Sequence, residues 1–345
     1  MNRKIALILV LIILTSVSVM ADPIIVGYYQ SWSRKEYSHE DVPYKNLTHI
    51  AHAFIWPDEN GALVIPDEYI QPELVESARQ NGVKIVVSLG GWGHDKGFAP
   101  TAADPEARRK FVKNLTDFCK KHGYDGADLD WEYPASKDKD NFTSMMVELR
   151  ESFDQAGLEL LAAAVPSKDW RNGYDVDVLK DKLDWFGVMT YDFAGSWSKT
   201  AGHNSPFTAS EHSELSVKDC MEYWVERGVP RKKVCMGLPF YGRDFKAGGL
   251  GKPSTGSEYS PYSKTLKLME KGWTRKWDKK AKVPFLVNPE NNIILSYDDP
   301  RSIELKCEYV VKENLGGVII WALGLDDTGE EQPLLKTVAE ALNTE

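Results

Sequence analysis

The stretch DGADLDWEY, residues 125–133, places Asp128, Asp130 and Glu132 at alternate positions with apolar residues between them. Successive side chains of a β-strand point to opposite faces, so this spacing predicts a strand that carries all three carboxylates on one face. Same-face neighbours lie roughly 6.5 Å apart, and we expect at least one carboxyl group to keep its proton near neutral pH. The cluster indicates proton transfer or a cation site. A solvated edge strand is the alternative, which the bulky apolar neighbours argue against.

Seven further apolar runs typical of buried strands lie on both sides of this stretch. They cover residues 24–30, 47–55, 83–89, 158–165, 183–190, 234–239 and 317–323, and helical patterns such as 72–80, 104–121, 141–155 and 217–227 separate most of them. Eight apolar strands that alternate with helices predict an α/β fold, the (β/α)8 TIM barrel. A doubly wound sheet is the alternative, but no glycine-rich phosphate loop follows the first strand.

The connection between the seventh and eighth strands is longer than one helix requires. Residues 243–299 open with glycines and then alternate between apolar and polar positions. This pattern predicts a small α+β insertion that contains a hairpin or a short sheet. Since no linker rich in Pro, Ser or Thr is present, we expect residues 22–345 to form a single catalytic barrel.

The first 21 residues have the pattern of a secretory signal peptide. Arg3 and Lys4 precede an apolar run over residues 5–14, and small residues at 19–21 suit cleavage. We therefore predict a secreted, extracellular protein, with an uncleaved anchor as the alternative. The formal net charge is −9, and loss of this segment makes it two units more negative. That charge argues against nucleic acid and anionic membrane surfaces as partners.

Four cysteines in a secreted chain permit disulfide bonds. Cys220 and Cys307 lie on helices that the proposed barrel makes neighbours, so we predict that they pair. Buried, unpaired thiols are an equally good interpretation. Glycosylation sequons begin at Asn46, Asn114 and Asn141, and they matter only if the source is eukaryotic.

The carboxyl ends of the predicted strands combine aromatic rings and carboxylates with little positive charge. Chemistry in such barrels lies at this end. Aromatic faces pack against sugar rings while carboxylates bind hydroxyl groups, so the combination predicts a sugar site. Core packing is the alternative for most of the tryptophans. The candidate residues beside the three acids are Tyr28, Phe54, Gly91, Trp92, Met189, Tyr191, Asp192, Tyr241, Arg243 and Trp321.

Other conspicuous residues are assigned to the core. Trp131 and Trp185 fall within predicted strands, and we expect both to face the helices. His52 lies inside the second strand and is expected to be a core residue or to support the site from behind. The seven histidines show no metal-ligand spacing, so the sequence predicts neither a metal nor a cofactor.

Five stretches, in order along the chain, resemble glycoside hydrolase family 18, the chitinases. DGADLDWEYP at 125–134 is similar to the family's DxxDxDxE signature. The others are SLGG at 88–91, MTYD at 189–192, GLPFYGR at 237–243 and the tryptophan at 321. The resemblance covers essentially the whole chain after the predicted signal peptide.

This resemblance implies hydrolysis of β-1,4 linkages between N-acetylglucosamine units of chitin or chitooligosaccharides, with retention of configuration. The acetamido oxygen of the substrate would be the nucleophile. Glu132 would protonate the leaving oxygen, Asp130 would hold the acetamido N–H, and Asp128 would share a proton with Asp130. Tyr191 would orient the acetamido oxygen for attack. The remaining candidates would bind the sugar, with Trp321 as the floor of the site.

Three other functions stay open at this stage. The first is a chitin-binding lectin of the same fold, although lectins of this family commonly lose the acid that Glu132 supplies. The second is an endo-β-N-acetylglucosaminidase that acts on glycoprotein glycans with the same acids. The third is a hard-cation site made by the three carboxylates. We expect the protein to act as a monomer.

Overall fold

Eight parallel strands close into a barrel in the computed structural model, which describes residues 22–288 and 290–342. The predicted signal peptide lies outside these residues. In chain order the strands are β1 (Ile24–Gln30), β2 (His49–Pro57), β3 (Leu63–Val64), β4 (Lys84–Gly90), β5 (Gly126–Asp130), β6 (Leu160–Pro166), β7 (Trp185–Met189), β8 (Val234–Pro239), β9 (Tyr241–Lys246), β10 (Ser257–Pro261), β11 (Thr274–Asp278), β12 (Val283–Asn288), β13 (Ile293–Ser296) and β14 (Gly317–Trp321). The α-helices are α1 (Pro72–Gln80), α2 (Phe98–Ala103), α3 (Pro105–His122), α4 (Lys139–Ala156), α5 (Val176–Leu179), α6 (Val217–Glu226), α7 (Tyr262–Glu270), α8 (Pro300–Lys312) and α9 (Pro333–Leu342).

The barrel strands run in the order β1-β14-β8-β7-β6-β5-β4-β2, and pairing of β1 with β2 closes the ring. All these pairs are parallel, so the eight carboxyl ends meet at one face. Helices cover the outside of the sheet. The predicted TIM barrel is confirmed, and each barrel strand overlaps the apolar run that predicts it.

Local sequence determines where the longer helices begin and end. At the start of α3 the Asp104 carboxylate accepts hydrogen bonds from the backbone N–H groups of Glu106 and Ala107, both at 2.8 Å. Pro105 suits the first helical position because it has no N–H to satisfy. The helix ends at Gly123, whose φ of 79° is favourable for glycine. These signals hold α3 directly before β5, the strand that carries the acids.

The inside of the barrel is lined largely by small side chains. Val26, Ala51, Ala53, Ala162 and Ala164 belong to this inner cluster, whereas the bulky residues of the alternate positions pack against the helices. Small residues in the interior leave room for larger polar groups near the carboxyl ends of the strands. This is the position that a site requires.

The expectation for Trp185 is wrong. Trp131 packs outward, with its ring stacked on Phe98 at 5.4 Å, but Trp185 lies in the inner cluster of the barrel together with Met189. Residues 185 and 189 differ by an even number, so a strand must direct both to the same face. His52 is buried on the outer side, stacked on Tyr69 at 4.2 Å.

A five-stranded antiparallel sheet lies between β8 and α8, in the order β10-β9-β13-β12-β11, and α7 accompanies it. A buried ion pair anchors the segment that leads from this sheet into α8. The Lys306 ammonium group contacts the Asp298 carboxylate at 2.7 Å and donates to the backbone oxygen of Ser205 at 2.8 Å. The insertion is therefore joined to the loop that follows β7.

The predicted disulfide bond between Cys220 and Cys307 is wrong, because all four cysteines are buried free thiols. The two helices are neighbours, since the Tyr309 hydroxyl donates to Glu222 at 2.7 Å. Adjacent helices do not by themselves direct two thiols at each other, and a bridge needs Cβ atoms roughly 4 Å apart. Within residues 22–288 and 290–342, the structure contains no helix of the length and apolarity that a membrane crossing demands.

Candidate active site

Asp128 lies at the bottom of the site, on β5 inside the barrel. Its Oδ2 accepts hydrogen bonds from the hydroxyl groups of Tyr28 and Ser88, both at 2.8 Å, while its Oδ1 is buried without a partner in the part of the chain that the structure describes. Burial raises the pKa of Asp128 to about 6, although both hydroxyl groups act to lower it. A carboxyl group is suited to share a proton when one of its oxygens lacks a hydrogen-bond partner and its pKa lies near neutral pH.

Asp130 is the next residue along the same face of β5 and is also buried. Burial is the largest cause that raises the pKa of Asp130 well above its usual value, followed by the charges of Glu132 and Asp128. The crowding that the sequence indicates is thus real, but removal from water has the larger effect. The Oδ1 atom of Asp130 has no hydrogen-bond partner among the described residues, so it is free to bind a ligand group.

Glu132 lies just beyond the end of β5 and is only partly buried, so it borders the mouth of the barrel. Burial raises the pKa of Glu132 to about 7, against a hydrogen bond from Tyr133 that lowers it. The charges of Asp192 and Asp95 raise it further. A carboxyl group that keeps its proton up to neutral pH at the edge of a cleft is a suitable general acid.

Asp192 forms a second charged group across the mouth, on the loop after β7. Its carboxylate accepts from the Tyr241 hydroxyl at 2.8 Å and from Arg243 Nε and Nη2 at 2.6 and 2.9 Å. The backbone there has a φ of 58°, a conformation uncommon for residues other than glycine. Tyr191 precedes it, and burial together with the carboxylates of Asp130 and Glu132 raises the Tyr191 pKa, so this hydroxyl stays protonated as a donor.

Aromatic rings form one wall of the site. Trp321, at the end of β14, lies 5.6 Å from the Tyr28 ring and stacks on Phe54 at 5.5 Å with an interplanar angle of 12°. Gly91 lies against the Phe54 ring, since a Cβ added there would come within 2.3 Å of it. Three peptide bonds at this end of the barrel are cis: Ala53-Phe54, Glu132-Tyr133 and Trp321-Ala322.

Comparison with known proteins decides the family. The profile of the family described as Glycosyl hydrolases family 18 matches residues 24–326. This chain belongs to family 18 of the glycosyl hydrolases. Among curated relatives, an endochitinase from Manduca sexta is 32% identical, over 100% of this chain and 72% of the relative.

Solved structures of family 18 proteins share the fold. A group IV chitinase of Ostrinia furnacalis in complex with allosamidin has a TM-score of 0.86 at 30% identity, and the match covers 93% of this chain and 99% of that one. Human YKL-39, described as a pseudo-chitinase with retained chitooligosaccharide binding, has a TM-score of 0.86 at 28% identity, over 93% and 100% of the two chains. The structural relatives thus include both a chitinase and a protein described as a pseudo-chitinase.

In this family 18 glycosidase the predicted site residues come together, with two differences in depth. Met189 is buried in the inner cluster near the acids. Trp92 stands at the rim with 81% of its surface exposed. The acids, Tyr191, the Asp192–Arg243 pair and the Trp321 wall surround the same opening at the carboxyl ends of the strands.

Asn204 organises the loop after β7, and no motif in the sequence singles it out. Its Oδ1 accepts from the Asp192 backbone N–H at 3.1 Å, its Nδ2 donates to the Tyr241 backbone oxygen at 3.2 Å, and its backbone N–H donates to Ser296 Oγ at 3.1 Å. No periodicity marks such a residue, because its partners are distant in sequence. Ser88 lies within the SLGG motif, but the sequence does not predict its hydrogen bond to Asp128.

Trp197 is a second site residue that the sequence pattern does not single out. It is 60% exposed on the same loop, and the Arg243 guanidinium group lies 5.1 Å from its ring centre. The stacking orients the arginine that neutralises Asp192.

Within the described residues, no group of three or more His, Cys, Asp and Glu side chains is arranged to hold a metal ion. The raised pKa values of Asp130 and Glu132 suit acid–base chemistry.

Proposed function

We propose that the protein hydrolyses β-1,4 linkages between N-acetylglucosamine units of chitin or chitooligosaccharides, with retention of configuration and with the substrate's acetamido group as nucleophile. The single observation that carries the proposal is Glu132, a partly buried carboxyl group whose pKa is raised to about 7 beside two more deeply buried acids. The carboxyl groups differ in depth and in partners, which separates their roles.

In this mechanism Glu132 protonates the glycosidic oxygen of the leaving sugar. The acetamido oxygen then attacks its own anomeric carbon, which gives a cyclic oxazolinium ion, and Tyr191 orients that oxygen by a hydrogen bond. Asp130 holds the acetamido N–H and balances the developing positive charge through its free Oδ1. Asp128 shares one proton with Asp130, because ionising two neighbouring carboxyl groups at once costs free energy. Glu132 afterwards accepts a proton from the incoming water.

Other residues of the site are proposed to bind the sugar. Trp321, with Tyr28 and Phe54 packed against it, is the apolar floor for the sugar ring. Asp192 and Arg243 bind sugar hydroxyl groups on the opposite side. We also propose that residues 1–21 direct secretion, and intact-mass measurement of the extracellular protein tests where the mature chain begins.

A chitin-binding lectin is the candidate from another class, and human YKL-39, described as a pseudo-chitinase with retained chitooligosaccharide binding, is a structural relative. The presence of Glu132 with a raised pKa favours an enzyme. The test is hydrolysis of N-acetylated chitohexaose against its fully deacetylated form, with the product anomer followed over time. We expect cleavage of the acetylated substrate only, with the β-anomer appearing first. An initial α-anomer, or equal cleavage of both substrates, would refute the mechanism.

Glu132→Gln is the matched variant, because it keeps the shape of the side chain and removes the proton. We expect turnover to fall roughly 10²–10⁴-fold while oligosaccharide binding is retained. A high-mannose glycopeptide assayed in parallel separates the endo-β-N-acetylglucosaminidase alternative. Added chelator is expected to have no effect, whereas loss of activity would support a cation site.

A further inference from the structure

His203 is a buried histidine that the proposed mechanism does not use. It lies on the loop after β7, is completely buried and directly precedes Asn204. Its Nε2 atom lies 3.2 Å from Asp278 Oδ2, and its Nδ1 atom lies 3.0 Å from Ser296 Oγ. The Phe285 ring packs edge-on against the imidazole, with centroids 6.1 Å apart. A buried imidazole with a partner on each nitrogen is fixed in both position and orientation.

The direction of these hydrogen bonds follows from the chemistry of the partners. The hydrogen bond with His203 is the largest cause that lowers the pKa of Asp278, so this carboxylate is ionised and can only accept. The Nε2 atom of His203 therefore carries a hydrogen, and in the neutral ring Nδ1 accepts from the Ser296 hydroxyl. The Ser296 oxygen in turn accepts from the Asn204 backbone N–H at 3.1 Å. Asp278, His203, Ser296 and Asn204 thus form one continuous row of hydrogen bonds.

This row joins the insertion to a residue of the proposed sugar site. Asp278 is the last residue of β11, and Ser296 is the last residue of β13. At the other end of the row, Asn204 Oδ1 accepts from the Asp192 backbone N–H at 3.1 Å. Asp192 has a φ of 58°, an uncommon conformation that its surroundings must maintain. His203 therefore bridges two strands of the insertion and places Asn204 against the backbone of Asp192.

The end of the row in the insertion is itself rigid. Asp278 Oδ1 accepts from the backbone N–H groups of Lys280 and Ala281 at 2.8 and 3.0 Å, which fixes the turn between β11 and β12. The Ala281 backbone oxygen accepts from the Phe207 N–H at 2.9 Å. Because this turn is tied to the chain on both sides, it gives His203 a firm partner.

A serine, a histidine and an aspartate in one row also describe a hydrolase triad, and burial argues against that function here. Only 2% of the Ser296 surface is exposed, and its Oγ already accepts from the Asn204 N–H. A nucleophilic hydroxyl group must reach a substrate carbon, which a buried serine cannot do. The row acts on the sugar site through Asn204.

We propose that His203 is a positioning residue for the reaction: it holds Asn204, and through Asn204 the Asp192 carboxylate, at the place where the sugar binds. This inference rests on the proposed function. Asp192 is hydrogen-bonded to Arg243, so a shift of its backbone displaces two groups that bind sugar hydroxyls in the proposed mechanism. The proton donor Glu132 follows a different strand, β5, and does not belong to the row. Loss of the row should therefore weaken substrate binding more than the chemical step.

Two variants separate the two contacts of the ring. The side-chain amide of His203→Asn takes the place of Nδ1 and can accept from Ser296, but it does not reach Asp278. His203→Gln reaches Asp278 and leaves the Ser296 hydroxyl without its acceptor. We expect KM for chitohexaose to rise roughly tenfold in His203→Gln, with kcat lowered less than about threefold, and His203→Asn to recover most of the loss. Each variant loses one buried hydrogen bond, so a purely structural role would affect both equally.

Ser296→Ala interrupts the row at the next residue and is expected to raise KM to the same extent. It carries the test if thermal melting shows that His203→Gln is not folded at the assay temperature. His39→Gln is the matched control, because His39 Nδ1 lies 3.1 Å from Ser77 Oγ, a histidine–serine contact against α1 on the outside of the barrel. Its KM should equal that of the parent.

Equal increases of KM in His203→Gln and His203→Asn, or an unchanged KM in folded His203→Gln or in Ser296→Ala, would overturn the proposal. If the parent does not cleave chitohexaose, the proposed function has failed, and calorimetric binding of chitohexaose then tests His203 alone. Weaker binding by His203→Gln than by His203→Asn would support the positioning role in that case. Equal affinities of the parent and His203→Gln would refute it.

Discussion

Tyr28→Phe removes one of the two hydroxyl groups that donate to Asp128 Oδ2. The Tyr28 hydroxyl stabilises the charged carboxylate, so its loss must raise the pKa of Asp128 above the present value of about 6. A hydrogen bond to a charged group contributes ~1.5–3 kcal/mol, and one pKa unit corresponds to ~1.4 kcal/mol. Because Ser88 remains as the second donor, we take the lower energy of ~1.5 kcal/mol. The pKa of Asp128 is then expected to rise by about one unit.

The pH dependence of kcat/KM measures this change. In the proposed mechanism Asp128 and Asp130 together carry negative charge opposite the developing positive charge, so a higher pKa of Asp128 moves the acidic limb up by about one pH unit. At about pH 5, on the acidic side of the profile, kcat/KM then falls roughly tenfold relative to its value at the optimum pH. The alkaline limb reports loss of the Glu132 proton near pH 7 and stays in place, since Tyr28 does not contact Glu132.

Tyr29→Phe is the matched control on the same strand. Its side chain points to the helix layer, where the hydroxyl donates to the Tyr37 backbone oxygen at 3.1 Å and to Gln71 at 3.3 Å. We expect its pH profile to equal that of the parent. An acidic limb that moves by less than about 0.3 unit in Tyr28→Phe, or that moves equally in Tyr29→Phe, would refute the reasoning.

Three further predictions concern the frame of the site. Lys306→Met leaves the buried Asp298 carboxylate without its cation, so the free energy of unfolding in urea should drop by ~3–5 kcal/mol, whereas Lys312→Met, at an exposed position, should change it by less than about 0.5 kcal/mol. Equal urea unfolding midpoints for Lys306→Met and the parent would show that the buried pair has no structural role. Asn204→Ala removes the acceptor of the Asp192 N–H, and kcat/KM on chitohexaose should decrease roughly tenfold; an unchanged value would contradict its positioning role. The four thiols should react with a thiol reagent only after denaturation, without reductant; fewer than four would restore the disulfide hypothesis.

The barrel could be predicted from sequence because its strands are buried on both faces. Such strands are continuous apolar runs, and eight of them separated by helical patterns leave few alternative folds. Within β5 the acids break that rule at every second position, which places Asp128 and Asp130 on the inner face. The same continuity misled the prediction for Trp185, since a run that is apolar throughout does not mark its inner face. Its even spacing from Met189 was the available signal.

Contacts between distant segments could not be predicted in this way. The proximity of two helices was inferred correctly for Cys220 and Cys307, but the direction of each thiol depends on helix rotation, which spacing alone does not determine. The depth of the acids is a similar case. Their crowding is visible in the sequence, whereas burial, the larger cause of their raised pKa values, emerges only when the barrel closes around them.

The insertion is a component of the site and not an appended unit. Its first strand, β9, begins at Tyr241 and carries Arg243, so it supplies both groups that bind the Asp192 carboxylate. Its strand β13 ends at Ser296, whose hydroxyl oxygen accepts a hydrogen bond from the Asn204 backbone N–H. This bond holds the loop after β7 from the other side. Asp192 already raises the pKa of Glu132 by its charge. Without Arg243 that charge would be unbalanced and the pKa of Glu132 would rise further. In the proposed mechanism the insertion therefore helps to set the acidity of the proton donor.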